Sequence, residues 1–110
     1  MDFCESVAEA VWDEGLDALI AVEGTNWDCQ SEYSCSWGEN LIGVKNKGLT
    51  FSASKSNKFV WSPHVYGGDV TGNWNYKQSE WEAHWGYLID NNMDEAAIVM
   101  GEFGTKYTGL

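Results

Sequence analysis

The stretch Ala96-Ala97-Ile98-Val99-Met100 runs straight into Gly101-Glu102-Phe103-Gly104-Thr105, an apolar run that stops on a carboxylate set between glycines. Five apolar residues in succession are too few for a helix and lack the alternation of a half-solvated strand. They predict a strand buried on both faces. A carboxylate at the end of such a strand is costly to bury unless it is paired or used. The flanking Gly101 and Gly104 let the backbone turn sharply and a ligand come close. Glu102 is therefore a candidate catalytic residue, the plainer alternative being a glutamate that only emerges into solvent.

Two earlier stretches have the same form. Ala18-Leu19-Ile20-Ala21-Val22 ends at Glu23-Gly24, and Lys58-Phe59-Val60-Trp61-Ser62 ends in Pro63-His64-Val65-Tyr66-Gly67-Gly68. The three ends fall about 40 residues apart, room for βα units with enlarged loops. A helix is expected from Asp2 to about Glu14, with Phe3, Val7 and Val11 as its apolar stripe, Ala8 and Trp12 beside them, and Gly15 as its stop. A second is expected from Ser79, where Ser79-Glu80-Trp81-Glu82 reads as a capping box, to near Asn91-Asn92. The polar segments 25–57 and 69–78 read as long loops carrying Trp27, Tyr33, Trp37, Trp74 and Tyr76. Long loops in compact domains are usually functional. The order predicts an α/β fold with parallel strands, whose C-terminal ends share one face, the face that holds the site. Glu23, His64, Tyr66 and Glu102 would then surround one opening.

Composition narrows the ligand. Seventeen acidic against six basic side chains give a net charge of −11. That charge repels phosphate backbones and anionic membranes and leaves a neutral ligand unpenalised. Seven Trp, five Tyr and four Phe make 15% of the chain aromatic. Aromatic rings stack on the C–H faces of sugars, so the composition suits a carbohydrate site, with about half of the rings expected in the core. No C-x-x-C pair or third ligand near His64 and His84 makes a metal site, and none is expected. Cys4, Cys29 and Cys35 are an odd set. Cys29 and Cys35 could close a small disulfide in one loop, which would imply an oxidising compartment, or all three could be free thiols. Met1 to Trp12 has neither a basic n-region nor a long apolar core, so it is not read as a signal peptide. Either the protein stays where it is made or Met1 is not its true beginning.

Five ordered segments carry a resemblance. Ile98-Val99-Met100-Gly101-Glu102-Phe103-Gly104-Thr105 resembles the strand-seven segment of glycoside hydrolase family five, which contains many endoglucanases. Leu19-Ile20-Ala21-Val22-Glu23-Gly24 resembles strand five, and Trp37-Gly38-Glu39-Asn40-Leu41-Ile42-Gly43 the loop after it. Lys58 to Tyr66 resembles strand six with its His-x-Tyr pair, and His84-Trp85-Gly86-Tyr87-Leu88 the helix between strands six and seven. The resemblance implies a partial (β/α)8 barrel of about three parallel strands. It also implies retaining hydrolysis of β-1,4-glucans with Glu102 as nucleophile, Tyr66 hydrogen-bonded to it and His64 orienting the pair or touching substrate. Trp37 and Trp74 would stack on sugar rings. For His64 and Tyr66 a structural role is the alternative, and for Trp37 a loop anchor. Glu23 is read as structural, Trp61, Trp81 and Trp85 as packing, His84 as surface or structural. The implied partner is an extracellular β-glucan, without cofactor, nucleic acid or membrane.

The family's acid/base Glu, usually in Asn-Glu-Pro at the end of strand four, has no counterpart here, where Pro63 is the only proline. A closed barrel needs about 250 residues, and this chain has 110. The whole chain, 1–110, is accordingly expected to be an incomplete catalytic domain. Hydrolysis by it alone should be poor. A non-catalytic carbohydrate-binding remnant and a small acidic interaction protein are the competing readings.

Overall fold

The computed structural model describes residues 2–27, 35–52, 54–72, 78–90 and 96–106. Tyr33, Trp74, Tyr76, Cys29 and the expected helix end at Asn91-Asn92 lie outside them. Helix α1 spans Asp2–Asp13, and Gly15, at φ +80°, follows it as anticipated. Its inward face differs from the expected stripe. Ala8 and Trp12 are buried, whereas Phe3 and Val7 are exposed. The reason lies in what meets the helix. Glu5 and Glu9 accept the backbone N–H groups of Thr50 and Ser52 at 2.7 and 3.0 Å, which turns the Trp12 side toward the body of the protein. Trp12 donates its indole N–H to the Ala18 carbonyl at 2.9 Å and meets Phe51 edge-on at 5.2 Å. Phe51 then packs on Phe59 and Phe59 on Trp61, an aromatic chain from helix to sheet.

Strand β1 (Ile20–Val22) pairs in parallel with β2 (Phe59–Trp61). Strand β3 (His64–Tyr66) pairs in parallel with β4 (Glu102–Gly104). These two ladders share one continuous line of backbone. Lys58 O and Ser62 N bond to the β1 side, while Trp61 N and O bond to Ala97 and Val99, and a parallel bridge joins Trp61 to Ile98. The segment 58–66 is thus central, with β1 on one edge and 97–104 on the other. Pro63 divides β2 from β3 because its missing N–H falls on the side facing the third strand. Its carbonyl still accepts the Gly101 N–H at 3.1 Å. The result is a partial α/β array of parallel strands in sequence order.

Strand boundaries shift accordingly. Glu102 is the first residue of β4 rather than a residue beyond the strand, and His64 and Tyr66 lie within β3. The apolar runs are also covered on one face only. Val22, Phe59 and Trp61 are buried, but Leu19 and Val99 are 63% and 52% exposed. The core is built on the covered face from Val22, Leu41, Val44, Leu49, Phe59, Trp61, Tyr87 and Leu88.

The second helix is continuous over 78–90 as α2's successor in the chain: α2 is Gly68–Thr71, α3 Gln78–Trp81, then a π turn Glu82–Gly86 and α4 Tyr87–Asp90. Gln78 is already helical, so Ser79 is not the cap. Glu82 instead accepts the Gln78 side-chain amide at 2.8 Å, an i, i+4 pair. The π turn closes with Tyr87 N–H on the Glu82 carbonyl. It leaves the His84 carbonyl to accept the Leu41 N–H at 3.0 Å.

Candidate active site at the strand ends

Alternation along β3 sends His64 and Tyr66 to the same face, and the register sets His64 beside Glu102 and Tyr66 beside Gly104. Parallel pairing therefore gathers three of the expected site residues without help from loops. The Tyr66 hydroxyl donates to Glu102 Oε2. His64 Nδ1 lies 3.7 Å from the same oxygen, and its Nε2 lies 3.2 Å from Glu23 Oε2. Glu102 and Glu23 are 60% and 64% exposed, whereas the His64 side chain is 11% exposed. The histidine is thus a buried wedge between two accessible carboxylates. The hydrogen bond to Glu102 raises the Tyr66 pKa above the usual tyrosine value, and desolvation and the charges of Glu102 and Glu23 add to it. The phenol stays protonated at neutrality and remains a donor.

The wedge is held sterically. A Cβ on Gly38, at φ +73°, would sit 2.3 Å from His64 Nδ1. One on Gly101 would sit 2.4 Å from Ser62 Oγ and 3.1 Å from His64 Nε2. The Gly38 carbonyl accepts both Gly24 N–H and His64 N–H, at 3.0 and 3.1 Å, so the loop after β1 continues the hydrogen-bonded line where β1 ends.

A cleft of about 520 Å³ opens in front of this group, with Trp37, Tyr66, Thr71 and Glu102 among its walls. Trp37 is 74% exposed, a ring presented to the cleft rather than a buried anchor. Trp74, the other expected stacking residue, lies outside the described residues. Cys35 also lines the cleft and is disulfide-bonded, whereas Cys4 is free. Cys29, its expected partner, falls outside the described residues. Among these residues no three His, Cys, Asp or Glu side chains converge to hold a metal, and no helix is long and apolar enough to cross a membrane.

Two side-chain contacts were not legible in the sequence, although Glu23 itself was expected at the opening. Glu23 joins the site through His64, although nothing local to Glu23 distinguishes it from a structural carboxylate. Glu39 and His84 form a buried pair, Oε1 to Nδ1 at 2.8 Å, with exposures of 1% and 0%. Ser36 donates both its N–H and its hydroxyl to Glu39 Oε2 at 2.9 Å. His84 is therefore structural and not on the surface. The pair fastens the turn that carries Trp37 and Gly38. The only hint in the sequence was a Glu inside a Gly- and Asn-rich loop.

Residues 1–110 match the family described as Cellulase (glycosyl hydrolase family 5). The chain is 34% identical over 101 residues to an endoglucanase of Paenibacillus polymyxa, covering 84% of this chain and 24% of that protein. It is 34% identical over 99 residues to the major extracellular endoglucanase of Xanthomonas campestris pv. campestris, covering 81% and 19%. Among solved structures it is similar to an endocellulase from Pyrococcus horikoshii, with TM-score 0.76, 30% identity and coverage of 96% of this chain and 31% of that one. A complex of such an endocellulase with cellotetraose gives TM-score 0.74 at 30% identity, with the same coverage. The chain spans about a quarter or less of the length of these sequence relatives.

Proposed function

Because the chain belongs to the cellulase family, glycosyl hydrolase family 5, we propose that it carries the nucleophile side of a retaining endo-β-1,4-glucanase site and forms the later part of a catalytic barrel. The observation that carries this reading is the Tyr66–Glu102 hydrogen bond at the mouth of the cleft, with His64 packed behind it. Glu102 Oε attacks the anomeric carbon, the C1–O bond breaks, and a glycosyl ester forms for water to cleave. Tyr66, kept protonated, fixes one carboxylate oxygen and leaves the other for attack. Trp37, and Trp74 with it, would stack on sugar rings. The chemistry requires no cofactor.

Departure of the sugar oxygen needs a second carboxyl group about 5–5.5 Å from the first. Glu23 does not take that part, since it faces His64. We assign the acid/base role to a carboxylate outside these 110 residues, on strands that would also cover exposed Leu19 and Val99. The reading extends to an extracellular β-glucan as substrate, as the Xanthomonas relative is named extracellular. A purely sugar-binding role is the second reading, favoured by the exposure of Trp37.

The test is 2,4-dinitrophenyl β-cellobioside, whose leaving group departs as the anion without an acid. The pure chain should release dinitrophenolate, and Glu102→Gln should abolish that release. Soluble β-1,4-glucan should be cleaved at least about 10²-fold less well than by a site with its general acid. Undiminished release from Glu102→Gln would sink the nucleophile assignment, and no release from the unmodified chain would leave sugar binding. Glu102-dependent glucan cleavage at ordinary rates would sink the missing-acid assignment.

A further inference from the structure

We propose that Glu23 is a positioning residue for the nucleophile, acting through His64; this rests on the reading of Glu102 above. Four observations meet at the imidazole. Its Nε2 lies 3.2 Å from Glu23 Oε2, and its Nδ1 lies 3.7 Å from Glu102 Oε2. Gly38 lies against its Nδ1 side and Gly101 against its Nε2 side, where even a methyl group would collide with the ring or its neighbour Ser62. Its Nδ1 is buried and has no hydrogen-bond partner among the described residues. The ring therefore cannot shift sideways, but packing against glycine does not distinguish its two nitrogens.

Glu23 supplies that distinction. An ionised carboxylate only accepts hydrogen bonds, so the nitrogen that faces Glu23 is the one that carries a proton toward it. The ring is thereby held with Nε2 outward to Glu23 and Nδ1 inward to Glu102. Without Glu23, an amide-like flip or a change of tautomer would present the other edge to the nucleophile, and the Glu102 carboxylate would lose its fixed neighbour. A carboxylate that orients an imidazole behind a reacting group is a general device of active sites. Glu23 is placed for it by β1: Val22 is the last residue of that strand, and its carbonyl takes the Ser62 N–H at 2.7 Å. This bond fixes the next residue beside the His64 end of the neighbouring segment.

The chain has two histidines, which makes nitrogen-15 NMR of the imidazoles direct. In the unmodified 110-residue chain His64 Nε2 should resonate as a protonated nitrogen. In Glu23→Ala that character should be lost or shared with Nδ1, while the His84 signals, set by Glu39, stay in place as a control for folding. Release of dinitrophenolate should fall about tenfold or more in Glu23→Ala, as expected for a displaced reacting group. Glu23→Gln, which keeps an accepting oxygen, should recover most of the rate. An unchanged His64 Nε2 signal in Glu23→Ala overturns the proposal, as does release at the wild-type rate. If the unmodified chain releases nothing, the Glu102 reading fails, and the nitrogen-15 comparison still decides for or against Glu23.

Discussion

Gly38 shows how a site can depend on the absence of a side chain. Its φ of +73° and the 2.3 Å approach of a notional Cβ to His64 Nδ1 are two separate demands for glycine. The left-handed backbone alone costs a non-glycine residue about 1–2 kcal/mol, and moving the imidazole adds to it. Gly38→Ala should lower stability by about 2 kcal/mol or more, read from denaturant midpoints. It should also slow dinitrophenolate release by disturbing His64. A variant of Gly43, where an added Cβ meets nothing within 4 Å, is the control and should lose little of either. Residue types at the strand ends were legible from the sequence because apolar runs stopping on Glu23, His64, Tyr66 and Glu102 need only counting. The His64–Glu23 contact was not, because it joins residues 41 positions apart (64 − 23) and depends on the register between strands.

Specific polar contacts join the elements. The turn 36–39 and the 3₁₀ turn Ile42–Val44 dock on the π turn through Glu39–His84, through Leu41 N–H on the His84 carbonyl, and through the Tyr87 hydroxyl, which donates to the Leu41 carbonyl at 2.6 Å. Burial raises the Tyr87 pKa above its usual value, so this donor persists through alkaline pH. Removing one member of the buried pair takes from the other its 2.8 Å counterpart in a dry site. Glu39→Ala or His84→Ala should each cost about 3–5 kcal/mol, and replacing both with apolar residues should cost less than either alone. The measurement is urea denaturation of the three variants. A capping-box reading of Ser79 to Glu82 could not reveal this joint, since a π turn leaves no local signature and its stabilising partner lies 45 residues away in the chain.

A second joint ties α2 to the segment after β4. Asp69 accepts from Thr105 Oγ1 and from the Lys106 N–H, and the Thr105 hydrogen bond, then the Lys106 amide, holds its pKa below the usual 3.8. A lowered folded-state pKa adds stability that is present above the unfolded value and is lost as pH falls through the folded one. The difference in stability between the unmodified chain and Asp69→Asn should therefore be constant near neutrality and shrink below about pH 4. Denaturant midpoints measured at a series of pH values would show it. A difference that grew on acidification would contradict the assignment.

For the molecule as a whole, parallel strands with their ends on one face were readable from the spacing of three apolar runs. The covering of those runs was not. Continuous apolar sequence predicted burial on both faces, whereas Leu19 and Val99 are open on one. Hydrophobic pattern states what a strand can tolerate against it, not what lies there in 110 residues. The α1 face was misread for a related reason: Phe3, Val7 and Val11 have the helical period, but Glu5 and Glu9, bonded to 50 and 52, set the rotation. The central claim is that this array, incomplete as a barrel, still holds a working nucleophile. The most direct measurement is to incubate the chain with 2,4-dinitrophenyl 2-deoxy-2-fluoro-β-cellobioside, whose glycosyl ester turns over slowly, and to map the adduct by peptide mass spectrometry. The account predicts one sugar ester, on Glu102. An adduct on Glu23 or another carboxylate, or no adduct, would contradict it.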